Sequence, residues 1–493
     1  MEQQTSHEKM ETIFSSAVDH LHACKKIPVA TYRLQFNRRF KFSEARLVVP
    51  YLHDLGITDC YASPYFKARE GSLHGYDILD HNQINPEVGT EEEYEGFVEE
   101  LQEYGMGQVL DIVPNHMCIT GSDNTWWMDV LENGPSSVYA DFFDIDWKPV
   151  KDELRNKVLL PILGDQYGQV LEGQELNLRF DEGGFFIRYG GQKLPIDPAS
   201  YATILKFRID DLQKEVGKDH PQLQELLSIL TALTHLPARS ERDREKMMER
   251  QREKEVIKKR LWNLHNDSAE IRSFINGNLL LYNGEKNKPG SFDLLDDLLN
   301  DQAYRLSYWR VATEEINYRR FFDINELAAI RVEDAGVFRE VHQFVFKLIR
   351  GGKVTGLRVD HPDGLYNPVE YFYRLQKGCF VQLCFQAHGS SEEPIDEEEI
   401  ERLYDEALFK NSASPLRTPF YIVGEKILTK GERLPEDWPI SGTIGYSFLT
   451  PLNGIFIDVE NGKRFDDIYS RFVGSKPNYQ DLVYEKKKLI MLT

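Results

Sequence analysis

The sequence predicts an α/β protein built as a (β/α)8 barrel of the TIM type, incomplete within this chain and interrupted after its third strand by a large mixed insertion. Three observations point there. Residues 29–113 alternate strand-like and helix-like stretches at the pace of parallel βα units. The same rhythm resumes near residue 337, after a long polar excursion. Finally, three strand-like runs end in carboxylates, Asp111, Asp360 and Glu425, and a parallel barrel gathers such ends at one mouth.

Taken in order, residues 1–26 read as a loosely amphipathic helical leader, with Ile13, Phe14, Val18 and Leu21 on its apolar side. The first part of the barrel, 27–116, opens with a strand at 29–34, a helix over 42–55 stopped by Gly56, and a strand at 57–62. Residues 63–77, rich in Gly and aromatics, form a loop long enough to be functional. Thr90, ahead of Glu91, Glu92 and Glu93, is an N-cap with an acidic first turn, and its helix ends at Gly105. Residues 108–113 are the third strand.

The excursion 117–325 reads as an inserted subdomain, part β around Gly164 to Gly191 and part helical. Its stretch 238–276 lacks Gly and Pro and alternates Arg, Lys and Glu, which predicts solvated helix. From 326 to 493 the barrel continues with a helix at 337–350, a strand at 353–360 and a helix at 369–386 that packs Cys379 and Cys384. An acidic helix at 392–408 and a strand at 420–425 follow. Beyond them the apolar runs 442–448 and 454–459 predict two more strands, then a helix and a basic tail, Lys486-Lys487-Lys488.

Composition narrows the partners. With 59 basic against 80 acidic residues the net charge is -21, which disfavours nucleic acid and anionic membranes and favours a neutral ligand. The five cysteines, Cys24, Cys60, Cys118, Cys379 and Cys384, are scattered without CxxC spacing, so neither a disulfide framework nor a zinc site is expected. No signal-like start and no run of ~20 apolar residues is present, so the cytoplasm is the expected compartment.

With a period of two, Arg358 and Asp360 share one strand face while Leu357 and Val359 share the other. Such a pair is by itself as consistent with a structural ion pair as with a site. Glu425 changes the balance, because two carboxylates across a glycosidic bond suffice for retaining chemistry: one attacks the anomeric carbon while the other protonates the leaving oxygen. Arg358 beside Asp360 favours the ionised form of a nucleophile, and an apolar strand around Glu425 favours the protonated form of an acid. Acidic residues at strand ends also cap helices; three at one relative position are harder to explain that way.

The runs Asp111-Ile112-Val113-Pro114-Asn115-His116, Gly356 to Asp360, and Glu425 resemble, in order, three sequence regions of the α-amylase superfamily of glycoside hydrolases. Residues 71–77 are similar to its segment after the second strand. Residues 304–310, 315–325, 359–365, 424–428 and 442–446 resemble the maltooligosyltrehalose synthase family within it, with Ser447 a departure where that family carries an acidic residue. The resemblance runs from about Pro28 to about Val459. It implies Asp360 as nucleophile, Glu425 as acid/base and Arg358 as the partner of the nucleophile. His116, Tyr76 and Asp77, with His74, Asn115 and Asp111, would bind the sugar, Tyr76 by stacking. Trp126 and Trp127 suit either outer glucan platforms or core. The implied reaction converts the reducing-end α-1,4 bond of a maltooligosaccharide into an α,α-1,1 bond without metal or organic cofactor, and couples to a trehalose-releasing hydrolase.

The superfamily's third catalytic Asp, part of a His-Asp pair, has no counterpart here, since no histidine follows His388. Thr493 lies only 68 residues beyond Glu425, room for about two βα units. The chain is therefore expected to be the N-terminal part of a longer protein, with open strand edges and poor solubility. Another α-1,4-glucan hydrolase or glucanotransferase, and an inactive glucan-binding fragment, stay open as alternatives.

Overall fold

A computed structural model describes residues 2–24, 26–389, 394–412, 414–476 and 478–492. The chain divides into two compact units, Met1–Glu425 with Pro435–Gly442, and Lys426–Leu434 with Thr443–Thr493.

The first unit is organised by a parallel sheet. Its strands are β1 (Thr31–Leu34), β2 (Asp59–Ala62), β3 (Gly107–Ile112), β4 (Gly356–Val359) and β5 (Tyr421–Gly424), in that spatial order, with the two-residue β6 (Gly442–Thr443) as the sixth. Adjacent strands from β1 to β5 pair in parallel. This is a half-barrel, as far as six strands of an eight-stranded barrel reach. The register aligns Arg33 with Tyr61, Tyr61 with Val109, and Arg358 with both Asp111 and Val423. These residues therefore share one face. Alternation sends Cys60, Leu110, Leu357 and Ile422 to the other, where all are buried.

Helices cover that second face. Phe42–Asp54 buries Phe42, Ala45, Val49 and Leu52. Glu91–Glu103 starts as expected at Thr90, whose side chain accepts from the Glu93 N–H while the Glu93 carboxylate accepts from the Thr90 N–H. The Phe36 ring lies 5.1 Å from Phe42 and 5.7 Å from Phe97, joining β1 to both helices. Ala335–Arg350 and Pro368–His388 continue the layer, and Cys379 and Cys384 are buried in the latter. The N-terminal helix Glu2–Cys24 packs Met10, Ile13, Ala17 and Leu21 against Phe380, Val381, Ile400 and Tyr404.

Several expectations require correction. The loop 63–77 contains a strand, Phe66–Ala68, antiparallel to Ile78–Ile84. Residues 392–408 do not start a helix at 392: the helix is Glu397–Lys410 with Asp396 as N-cap, and 390–393 lie outside the described residues. Residues 442–448 and 454–459 are not two full strands. After Thr443 the chain turns at Gly445 into the helix Tyr446–Gly454, and Val459 begins a single 3-10 turn. Lys486, Lys487 and Lys488 lie inside the helix Tyr479–Leu492.

The excursion leaves and rejoins the barrel through a short ladder in which His116–Cys118 pairs with Leu327–Ala329. It carries a three-stranded antiparallel sheet (Asn177–Asp181, Gly184–Tyr189, Gln192–Pro195) and helices including Pro221–Thr234, Arg244–Asp267 and Ala269–Tyr282. The charged stretch 238–276 is helical only from Arg244, as two helices that meet at Ser268, and it is not solvated throughout. Arg250 is 1% and Lys254 2% exposed. Lys254 Nζ sits 2.7 Å from Asp129 and 2.6 Å from Glu132, and Arg250 Nη2 2.5 Å from Asp197. These side chains hold the inserted helices to one another through ion pairs inside the core.

Candidate active site

The site grows from the C-terminal ends of β3, β4 and β5. Asp111 is on β3, fully buried, and Asp360 and Glu425 are the residues immediately after β4 and β5. The ladder continues just far enough to fix both: the Asp360 N–H donates to Ile112 O and the Glu425 N–H to Val359 O, each at 2.9 Å. Arg358, one pleat before Asp360, reaches all three carboxylates. Its Nη1 lies 2.6 Å from Asp111 Oδ1 and 2.7 Å from Asp360 Oδ1, and its Nη2 3.1 Å from Glu425 Oε1. One guanidinium thus separates Asp360 from Glu425.

The expectation that Arg358 keeps Asp360 ionised is only part of the balance. Burial is the largest influence and raises the Asp360 carboxyl to about 7, with Asp111 and Glu425 adding to it while Arg358 pulls it down. A single cation shared by three carboxylates cannot fully compensate any one of them. Glu425 is not in an apolar pocket either. Besides Arg358 it accepts from the His361 N–H at 3.0 Å, and its side chain is 28% exposed. His361 makes this contact from a left-handed conformation, φ 44°, rare for a residue with a Cβ, in the turn that Pro362 completes.

Asp111 is the hub of a second set of contacts. Its Oδ2 accepts from Arg33 Nη1 at 3.0 Å, from the Tyr76 hydroxyl at 2.7 Å and from the Tyr61 hydroxyl at 3.2 Å. Arg33 also donates to the Tyr76 hydroxyl at 3.0 Å and lies 4.5 Å from the Tyr61 ring centroid. Tyr76 reaches the cluster from the 63–77 loop, bent by Gly75 at φ 81°; a Cβ there would come within 2.4 Å of Pro64 O.

The remaining expected residues fall into two groups. His116 is buried and packs on Phe321 with ring centroids 4.3 Å apart; burial lowers its pKa to about 4, opposed by a hydrogen bond to the Tyr76 backbone, so it is neutral near pH 7. Asn115 bridges His116 and Arg319, each at 3.4 Å. By contrast, the structure does not join Asp77 and His74 to the carboxylates. Asp77 accepts from Ser72 Oγ and pairs with Arg69 at 3.4 Å and His74 at 3.8 Å, contacts that brace the loop itself. Trp126 and Trp127 are core: both are buried, and Trp127 stacks edge-on against Phe143 at 4.9 Å.

Arg33, Tyr61, Phe321 and Arg319 escaped the sequence reading as site residues. A signal existed for Arg33, a charged side chain one position from the end of an otherwise uncharged first strand. Nothing local marked Tyr61, whose role depends on register.

The α-amylase catalytic-domain family model matches residues 47–195, the span that carries Asp111, Tyr61 and Tyr76. Over a longer span the chain is similar to a "Putative maltooligosyl trehalose synthase" of Mycobacterium tuberculosis (strain CDC 1551 / Oshkosh), with 28% identity over 437 residues, 87% of this chain and 39% of that protein. Among solved structures, the maltooligosyltrehalose synthase from Arthrobacter ramosus shares 28% identity at a TM-score of 0.59, over 94% of this chain and 43% of its own. A hypothetical maltooligosyl trehalose synthase of Sulfolobus tokodaii shares 29% at 0.58, over 95% and 44%. The chain spans about two fifths of the length of the curated relatives it matches.

Proposed function

We propose that this chain carries part of the catalytic site of an intramolecular transglucosylase that converts the reducing-end α-1,4 bond of a maltooligosaccharide into an α,α-1,1 bond. The observation that supports it is the contact of Arg358 with Asp111, Asp360 and Glu425 at the ends of three consecutive strands. In this reading Asp360 attacks the anomeric carbon while Glu425 protonates the departing O4 of the reducing-end glucose, leaving a covalent glycosyl–Asp360 ester. The freed glucose turns without leaving. Its anomeric hydroxyl then attacks the anomeric carbon of the glycosyl ester as Glu425 takes its proton, the bond from that carbon to the Asp360 carboxylate breaks, and the α configuration is retained. Tyr76, bonded to Asp111 and Arg33, packs on the sugar, and the buried neutral His116 bonds a hydroxyl. No step calls on a metal or organic cofactor.

The experiment is a product analysis with maltopentaose and the full chain. Loss of reducing ends without release of glucose is the expected outcome; glucose, or glucans of mixed length, indicates hydrolysis or disproportionation instead, the reading favoured if only the α-amylase match at 47–195 carries functional weight. Binding without turnover, unchanged in Asp360→Asn, indicates a glucan-binding fragment. A product ending in trehalose is a substrate for a trehalose-releasing hydrolase, which would be the functional partner.

A further inference from the structure

Three carboxylates and two guanidiniums form one continuous network at the strand ends, and the proposed chemistry uses only one of the guanidiniums. Arg358 contacts Asp111, Asp360 and Glu425. The other cation is Arg33 on β1, two strands away from Asp111 on β3. In the sheet register Arg33 is level with Tyr61 on the intervening β2, and its guanidinium lies 4.5 Å from the centroid of that ring. The aromatic face carries the side chain across β2, and Nη1 ends 3.0 Å from Asp111 Oδ2.

Asp111 thus meets a separate guanidinium at each oxygen. Its Oδ1 takes Arg358 Nη1 at 2.6 Å and its Oδ2 takes Arg33, while the carboxylate is fully buried. The same Arg358 Nη1 lies 2.7 Å from Asp360 Oδ1. Asp111 and Asp360 therefore draw on one Arg358 nitrogen, and the charge that Arg33 brings to Asp111 sets how much of Arg358 is left to Asp360. A second contact acts in the same direction. Arg33 Nη2 donates to the Tyr76 hydroxyl at 3.0 Å, occupying a lone pair, so that the hydroxyl proton goes to Asp111 Oδ2 at 2.7 Å. Gln35 accepts from the same Nη2 at 3.3 Å.

Other groups around Asp360 do not supply this charge. Arg358 on its own strand, Asp111 from β3 and Glu425 after β5 act on it directly. Burial pushes the hydroxyls of Tyr61 from β2 and Tyr76 from the loop upward, holds His116 at about 4 and lowers His361 in the turn after β4, so none of the four is charged near pH 7. Asp363 in that turn and Arg319 from the insertion act on His361 with opposite signs. We infer that Arg33 is a positioning residue of this cluster: by neutralising Asp111 and fixing the Tyr76 hydroxyl, it leaves Arg358 to hold Asp360 as a carboxylate. This deepens the proposed function and rests on that reading for the role of Asp360 as the attacking group.

The test reads the ionisation of Asp360 without substrate. The thermal midpoint of the full chain is compared with that of its Asp360→Asn variant from about pH 4 to about pH 9. The advantage of the Asn form grows as Asp360 releases its proton and levels off above about 7 in the wild type. With Arg33→Gln the levelling is expected about one pH unit higher, because a compensating charge is gone. Arg33→Met, which keeps the packing over Tyr61, is expected to shift it equally and serves where Arg33→Gln does not fold. Arg33→Lys keeps the charge and recovers more than half of the shift. Once Asp111→Asn has removed the charge to be neutralised, adding Arg33→Gln leaves the levelling in place. A profile in Arg33→Gln and Arg33→Met that overlays the wild type, or an equal shift with and without the Asp111 charge, overturns the inference. So does a wild-type difference that does not change with pH. Products other than a trehalose-ended glucan from maltopentaose would sink the transglucosylase reading and leave this titration untouched.

Discussion

At the scale of single residues, Asp360 carries a measurable signature. Its carboxyl is raised from the ordinary 3.8 to about 7 by burial. Between those values the folded chain holds a proton that the unfolded chain has released, so stability falls as pH rises through the window from about 4 to about 7. Asp360→Asn removes that penalty. Its thermal midpoint is expected to exceed the wild type's at pH 8 and to converge with it near pH 4; a constant difference across that range would refute the buried-proton account. The same shift predicts that turnover, if Asp360 is the nucleophile, loses rate as pH drops below about 7, because the attacking form is the carboxylate. The variant that stabilises the fold should therefore abolish the reaction. Arg358 and Asp360 were legible as a strand-face pair, yet the protonation balance was not, since it depends on two further carboxylates, Asp111 and Glu425, that lie 249 and 65 residues from Asp360.

At the scale of elements, the caps and the buried ion pairs behave differently. Thr90 caps its helix through local geometry that three residues encode, and Thr90→Ala is expected to lower stability by about 1 kcal/mol in chemical denaturation. Lys254 is another matter. Its ammonium is shared by Asp129 and Glu132 from a different helix, and Lys254→Ala leaves Asp129 with only the Asn133 and Ser137 side chains and Glu132 with only Lys258 at 2.5 Å, with an expected loss of about 3 kcal/mol. A loss below about 1 kcal/mol would mean that water reaches the pair. The sequence reads most of 238–276 as helix because charge alternation and the lack of Gly and Pro are local, and misses the non-helical 238–243 and the break at Ser268. It misreads the exposure because the acids that receive Arg250 and Lys254 lie at 129, 132 and 197. Likewise 442–448 has the apolar run of a strand but enters the helix Tyr446–Gly454, because periodicity cannot separate a short apolar strand from a helix.

At the scale of the whole chain, the second unit differs in kind from the first. Within it Phe448, Ile455, Phe456, Phe465 and Phe472 are each at least 69% exposed, a density of bare large apolar side chains that marks an association surface or an aggregation liability. Phe465 and Phe472 are both on the helix Gly462–Val473, two turns apart on one side. The chain is expected to self-associate at micromolar concentration in light scattering, and the double change Phe465→Ser with Phe472→Ser to reduce the associated fraction without altering the midpoint of the half-barrel. Among the described residues no helix is long and apolar enough to cross a membrane.

The sequence by itself determined the strand–helix rhythm, the Thr90 cap, the turn at Pro362 and the identity of the three acidic strand ends, because each is written in a few adjacent residues through period, capping and φ preference. The tertiary structure alone decided that one arginine serves all three acids, that Arg33 and Tyr61 complete the surroundings of Asp111, that Asp77 braces its loop, and that Trp126 and Trp127 are core. Those outcomes follow from the register between parallel strands and from long-range burial. Both are set by where distant segments pack, and so no local pattern carries them.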